Sequence, residues 1–196
     1  MQGTSDYPGH WEETRVSTLN VQQARNIPGH CPFQKVKTKD KDGNFVEALA
    51  MLDSGSNTSF ISKNVTNKLG LSGPKVLLTI NLAGGQKKSE ESKLVNITVV
   101  PISEETIQKP MQVYAINKPC SPAKTVSKKI VNGYPHLKAI SNKLYLSSGT
   151  VDLSIGTDFA DAFVDIHVIP RGPGDPIAKR NCFGWYVMGQ FSSQGD

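Results

Sequence analysis

Residues 48–57 read Ala-Leu-Ala-Met-Leu-Asp-Ser-Gly-Ser-Asn, an apolar run that ends abruptly in an acid, a hydroxyl and a glycine. A carboxylate at the end of a buried strand is costly unless a neighbour hydrogen-bonds it or shares its charge. Gly55 lets the backbone pass close to another group, and Ser54 and Ser56 supply hydroxyls beside Asp53. The reading that explains this combination makes Asp53 a catalytic carboxylate. The plainer reading is a turn residue, since Asp, Ser and Gly all favour turns. A phosphorylated degron fits poorly, because the apolar flanks Ala48–Leu52 and Phe60-Ile61 argue for burial.

Upstream, Asp42-Gly43 is a hairpin signal between two extended runs, so Asp53 lies at the end of a hairpin's second strand. Downstream, Thr58 or Ser59 can cap a helix carrying Ile61, Val65 and Leu69, closed by Gly70. Extended runs at 75–82 and 93–100 flank Ala83-Gly84-Gly85, which predicts a long hairpin with a polar tip. A further strand is expected from Met111 to Ile116. Pro122 opens an expected helix with Val126 and Ile130 on one face, stopped by Asn132-Gly133. Short strands are expected at 144–146, 151–155 and 164–168, with a short helix from Gly156 through Phe163 that Thr157 or Asp158 caps. Phe183 to Phe191 is the last apolar stretch.

The chain has 196 residues, 37% hydrophobic and 7% aromatic, with 17 Gly and 12 Pro, a composition suited to one loop-rich β domain. Residues 1–27 are polar and aperiodic, and read as a flexible N-terminal segment in which Trp11 has no assigned role; the domain is expected over 28–196. No run approaches the about 18 apolar residues of a membrane helix, and the start lacks the pattern of a secretory signal. Cys31, Cys120 and Cys182 are far apart and odd in number, so neither a disulfide framework nor a metal knuckle is expected. An intracellular, cytoplasmic location follows, and sequons at Asn57, Asn64 and Asn96 carry no weight there. The net charge of +5 comes mainly from 117–150, which holds six lysines and no acid. This Lys-rich insertion reads as a solvated surface; nucleic-acid binding is the sharper alternative, but no aromatic or arginine residues interleave the lysines.

Four stretches taken in order carry a resemblance: Met51–Ser62, Tyr134-Pro-His-Leu137, Val151–Asp158 and Phe183–Gly189. Together they resemble a retropepsin-like aspartic protease, and within that group the protease segment of Bel/Pao-type retrotransposon polyproteins. The resemblance covers about 30–190 and implies an all-β, retropepsin-like acid-protease barrel with short helices, one lobe per chain. One Asp-Ser-Gly per chain implies a homodimer that pairs two Asp53 carboxylates on a polypeptide substrate, with no cofactor or metal. It further implies that Ser54 bonds across the dimer axis, Gly55 permits close contact there and Ser56 bonds the Asp53 carboxylate. Gly84 and Gly85 would form the flap, and Ile155 and Gly156 would support the active-site loop from behind. Such an enzyme would process a polyprotein in the cytoplasm or in virus-like particles.

The chain departs from the pattern at three places. Ser154 stands where an apolar residue is usual, and Thr157 and Asn57 stand where retroviral enzymes have an Arg and an Asp that pair. The loss of that pair motivates the alternative of an inactive, domesticated fold that dimerises or binds peptides. His136 and His167 lack a nucleophile partner at recognisable spacing and read as structural or surface residues; Trp185 reads as part of a packed strand.

Overall fold

In the computed structural model, which describes residues 29–81 and 83–191, strand β2 (Phe45–Leu52) changes character halfway along. Its first residues are exposed or half-buried, and Ala48 to Leu52 are all buried. Side chains alternate between the faces of a strand, so continuous burial requires cover on both sides. Ala48, Ala50 and Leu52 point into a core shared with Val36, Ile61 and Val113. Leu49 and Met51 meet Phe33, Cys120, Ala123 and Val151 on the other face. The residue that follows, Asp53, is therefore delivered at the end of a strand clamped on both faces.

Strand β1 (Phe33–Lys39) runs antiparallel to β2, and Asp42-Gly43 forms the predicted turn with Gly43 at φ 87°. The Asp40 carboxylate fastens this turn by accepting the N–H groups of Asp42 and Asn44 at 2.9 Å each. Next come β3 (Phe60–Ser62), α1 (Lys63–Lys68), β4 (Lys75–Asn81), β5 (Lys87–Pro101) and β6 (Lys109–Ile116). Strand β7 (Leu153–Ile155) lies between β2 and β3, parallel to the first and antiparallel to the second. The pairing order β1-β2-β7-β3-β6-β5 closes on itself because β5 also pairs β1, from Val36↔Pro101 to Lys39↔Thr98. The result is the expected all-β barrel with short helices. Strand β4 pairs β5 over Lys87–Lys93 and leaves the barrel as a two-stranded arm, the predicted long hairpin.

Several boundaries differ from expectation. The helix after the Asp53 loop starts at Lys63 and is capped by Ser62, whose side chain accepts the Val65 N–H at 3.3 Å. Thr58 and Ser59 do not cap it, because Phe60–Ser62 is committed to pairing β6 and β7. Gly70 ends the helix at φ 60°, as predicted. No helix starts at Pro122: Ala123 bridges Gly149, and the Val126 N–H donates to the Leu146 carbonyl at 2.8 Å, holding this segment extended. Helix α2 instead runs over Lys128–Asn132 behind Ser127, followed by α3 (Pro135–Lys138). Leu144–Leu146 is no strand. Of 164–168, the strand takes only the end, as β8 (His167–Ile169); Val164 and Ile166 precede it and are 63% and 65% exposed.

The Lys-rich insertion is more than a solvated surface. Val131, Tyr134, Leu137, Ile140, Leu144 and Leu146 pack with Ala178, Val187 and Phe191 into a second apolar cluster. Its partner is a three-stranded sheet of β8, β9 (Ile177–Asn181) and β10 (Gly184–Met188), which contains most of the last apolar stretch. Trp185 packs against this cluster, His167 stands against Trp185 edge-on, and His136 contacts the Pro176 carbonyl at 2.8 Å. The expectations for residues 1–27, Trp11 among them, lie outside the described residues.

Candidate active site

The Asp53 N–H donates to the Ile155 carbonyl at 2.8 Å, so the acid is tied to β7 at the point where β2 ends. The chain then turns: the Ser56 N–H returns to the Asp53 carbonyl at 3.1 Å, and the Gly55 N–H donates to Asp53 Oδ1 at 3.1 Å. Asp53 is half-buried, and among the described residues its carboxylate takes no other hydrogen bond. It keeps Oδ2 open to a ligand. Ser54 and Gly55 are exposed, and the Ser54 hydroxyl has no partner among the described residues.

Ser56 corrects an expectation. Its hydroxyl donates to the Thr58 carbonyl at 2.7 Å and accepts the Thr58 N–H at 3.3 Å, with no bond to the Asp53 carboxylate. A serine hydroxyl readily closes a local turn with the backbone two residues on, and here it does so. The Gly55 amide takes over the role expected of Ser56.

Behind the loop, Gly156 lies so close to the backbone of Ser56 and Thr58 that a side chain would collide with it. A β-carbon there would lie 2.8 Å from Ser56 O, Thr58 N and Thr58 O, all backbone atoms. The Thr157 N–H donates to the Ser56 carbonyl at 2.8 Å and the Gly156 N–H to the Ser59 hydroxyl at 3.0 Å. Ile155 and Leu153 are fully buried, and so, at 1% exposure, is Ser154, the residue that departs from the usual apolar choice.

One contact was not anticipated. Asp158 was expected to cap the short helical stretch, and its carboxylate instead accepts the Ser59 N–H at 2.9 Å and the Ser59 hydroxyl at 2.7 Å. The 3₁₀ turn Thr157–Phe163 is entered from Gly156 with no side-chain cap. A carboxylate after the supporting glycine and a hydroxyl on the acid loop are 99 residues apart, and only the insertion of β7 beside β3 brings them together.

Two thiols feel the acid. Burial pushes Cys120 up to about 12, and the negative charge of Asp53 adds to the effect; Cys31 moves the same way for the same two reasons. Cys120 also contacts the Met51 sulfur at 3.9 Å, which places it under the strand that carries Asp53.

Gly84 and Gly85 lie in a tight turn at the end of the β4–β5 arm, both at φ 74° with open space around them. Bulkier residues are disfavoured there by conformation, not by contact. No cluster of three or more metal-ligating side chains occurs among the described residues, and none of their helices is long and apolar enough to cross a membrane.

The arrangement offers one open carboxylate oxygen on a rigid loop beside an unpartnered hydroxyl. Comparison with curated proteins returns no match. Among solved structures, EIAV protease complexed with the inhibitor HBY-793 is similar at 18% identity, over 53% of this chain and 86% of that one, with a TM-score of 0.33. The family model for aspartyl protease matches residues 36–134, a span that contains Asp53 and the β4–β5 arm and stops short of Gly156. Since that match takes in just over half of the chain, the protein belongs to the aspartyl protease family.

Proposed function

We propose that the protein is an aspartic endopeptidase that works as a homodimer, with Asp53 of each copy forming a shared catalytic pair. The observation that carries this reading is the incomplete site: one Asp-Ser-Gly per chain, with Oδ2 open and the adjoining Ser54 hydroxyl exposed and unpaired among the described residues. Two carboxylates within about 3 Å cannot both ionise and would share one proton. The ionised member takes a proton from water, which attacks the scissile carbonyl carbon. The protonated member donates to the carbonyl oxygen. Collapse of the resulting tetrahedral species breaks the C–N bond as a proton passes to the leaving amine.

A two-fold axis beside Ser54 and Gly55 presents the same loop from both copies, and self-complementary contacts suit a small exposed hydroxyl and a glycine. The β4–β5 arm with Gly84 and Gly85 is the element that would close over an extended polypeptide and exclude water. The substrate class we favour is the polyprotein of a Bel/Pao-type retrotransposon, in the cytoplasm or in virus-like particles. The alternative of an inactive module leans on the missing Arg/Asp pair. The Asp158–Ser59 contact ties the same two segments together and weakens that motive.

The test compares the unaltered chain with Asp53→Asn on a peptide library at mildly acidic pH, with and without pepstatin, and measures sedimentation alongside. Pepstatin-sensitive cleavage confined to the unaltered chain and to its dimeric form is the expected result. Cleavage that survives Asp53→Asn would sink the assignment.

A further inference from the structure

Outside the Asp53 loop itself, a groove of about 750 Å³ opens where the barrel, the insertion and the three-stranded sheet meet. The barrel supplies Lys35 and Ile102, the insertion Lys128 and Lys143, and the sheet side Arg180 and Ile166. Lys128, Lys143 and Arg180 have no carboxylate within 4 Å among the described residues, and Lys35 shares Glu47 only at 4.0 Å. Among the residues lining the groove, Glu104 is the sole acid. Ile102 and Ile166, 39% and 65% exposed, add apolar surface at the rims, and Trp185 adds more within. The floor is stiff: Gln34 donates to the Asn181 side chain at 2.9 Å and to the Gly184 carbonyl at 2.8 Å.

The geometry points to this groove as a docking site for an acidic polypeptide segment whose carboxylates alternate with apolar side chains. Charge complementarity identifies the occupant: several unpaired cations facing one acid favour an anionic ligand, and the flanking isoleucines favour one that also carries apolar groups. A polynucleotide fits less well. Of the six insertion lysines, Lys118, Lys124, Lys129 and Lys138 do not line the groove, so no continuous cationic track follows it. The groove also lies close to the candidate site. Lys35 pairs Leu49, four residues before Asp53, or about 13 Å along β2. A polypeptide held there could run on to the carboxylates, and the inference rests on the endopeptidase reading only in making that polypeptide a substrate.

The test reads binding on the Asp53→Asn chain, so its outcome is independent of cleavage. A fluorescein-labelled peptide of alternating Glu and Leu is titrated by anisotropy at low salt. Charge reversal at Lys128, Lys143 and Arg180 together should weaken binding by about tenfold or more, whereas Lys124→Glu, outside the groove, should leave it unchanged. If the triple reversal does not fold, the Lys143→Gln/Arg180→Gln pair should weaken binding by about threefold in its place. An excess of single-stranded oligonucleotide should not displace the peptide. The proposal is overturned by unchanged affinity in the groove variants, by an equal loss in Lys124→Glu, by absence of binding, or by displacement with the oligonucleotide.

Discussion

The Asp158 carboxylate holds Ser59 by both its backbone N–H and its hydroxyl, at 2.9 and 2.7 Å. Ser59 is fully buried, and its hydroxyl also accepts the Gly156 N–H at 3.0 Å. One side chain thus links the loop that carries Asp53 to the strand end behind it. Charge-assisted hydrogen bonds of this kind are stronger than neutral ones and fix direction as well as distance.

Removing that link should cost stability in a graded way. Ser59→Ala leaves the buried Gly156 amide without its partner, a loss of about 1–3 kcal/mol. Asp158→Ala should cost a similar amount, and Asp158→Asn less, because the amide oxygen still accepts one of the two bonds. Thermal melts of the three variants check the order. Equal melting temperatures for Asp158→Ala and the unaltered chain would show that the link is ornamental.

Gly156 and Gly84 make opposite predictions about why glycine is needed. A methyl group at 156 meets three backbone atoms at 2.8 Å, so Gly156→Ala must push the Asp53 loop away, at a cost of about 1–3 kcal/mol. At Gly84 nothing crowds a β-carbon, and the cost is the positive φ alone, about 1–2 kcal/mol. Gly156→Ala should therefore abolish cleavage. Gly84→Ala, at the tip of the arm, should mainly raise KM. Peptide hydrolysis by the two variants, set against their melting curves, separates the effects.

How much of this could be read from the residues alone depends on the range over which each signal acts. The β1–β2 hairpin was legible because Asp42-Gly43 and the strands it joins are local. A supporting role for Gly156 is what the family resemblance implies, and the close contact with Ser56 and Thr58 emerges only from the fold. The Ser59–Asp158 contact was not legible. Both residues have good local roles as caps, and local signals cannot reveal that β7 inserts beside β3. The insertion misled for a related reason: its lysines are conspicuous, whereas Val131, Tyr134 and Leu137 declare themselves as core only when β9 and β10 supply the other wall. Ser127, immediately before Lys128, has the chemistry of a cap, whereas the expected helix opens five residues earlier at Pro122.

Cys120 gives a pH prediction. Its pKa rises from 9.0 unfolded to about 12 folded, so between those values the folded chain holds a proton that the unfolded chain has lost. Stability is therefore undiminished by this group below pH 9 and falls as pH climbs towards 12. At pH 8 a maleimide should modify Cys120 far more slowly in the folded chain than in denaturant. Because the Asp53 charge is the second cause of the shift, Asp53→Asn should speed that modification, read by mass spectrometry of the labelled peptide. No change on Asp53→Asn would mean that burial alone governs the thiol.

Ser54 gives the prediction that bears most directly on assembly. Its hydroxyl is exposed and has no partner among the described residues, although it stands next to an acid whose N–H, carbonyl and Oδ1 are all hydrogen-bonded. In the proposed dimer the two Ser54 hydroxyls meet partners across the axis, and each change is felt twice because the contact is two-fold. Ser54→Ala should leave the unfolding free energy of the monomer within about 0.5 kcal/mol of the unaltered chain, as for an ordinary surface position. Its dimer dissociation constant should rise by about tenfold or more, for two lost bonds of about 1 kcal/mol each. Sedimentation over a range of concentrations measures the constant, and cleavage per dimer should stay constant as the dimer fraction falls. An unchanged dissociation constant would remove Ser54 from the interface and require the two Asp53 loops to meet, if at all, in another geometry.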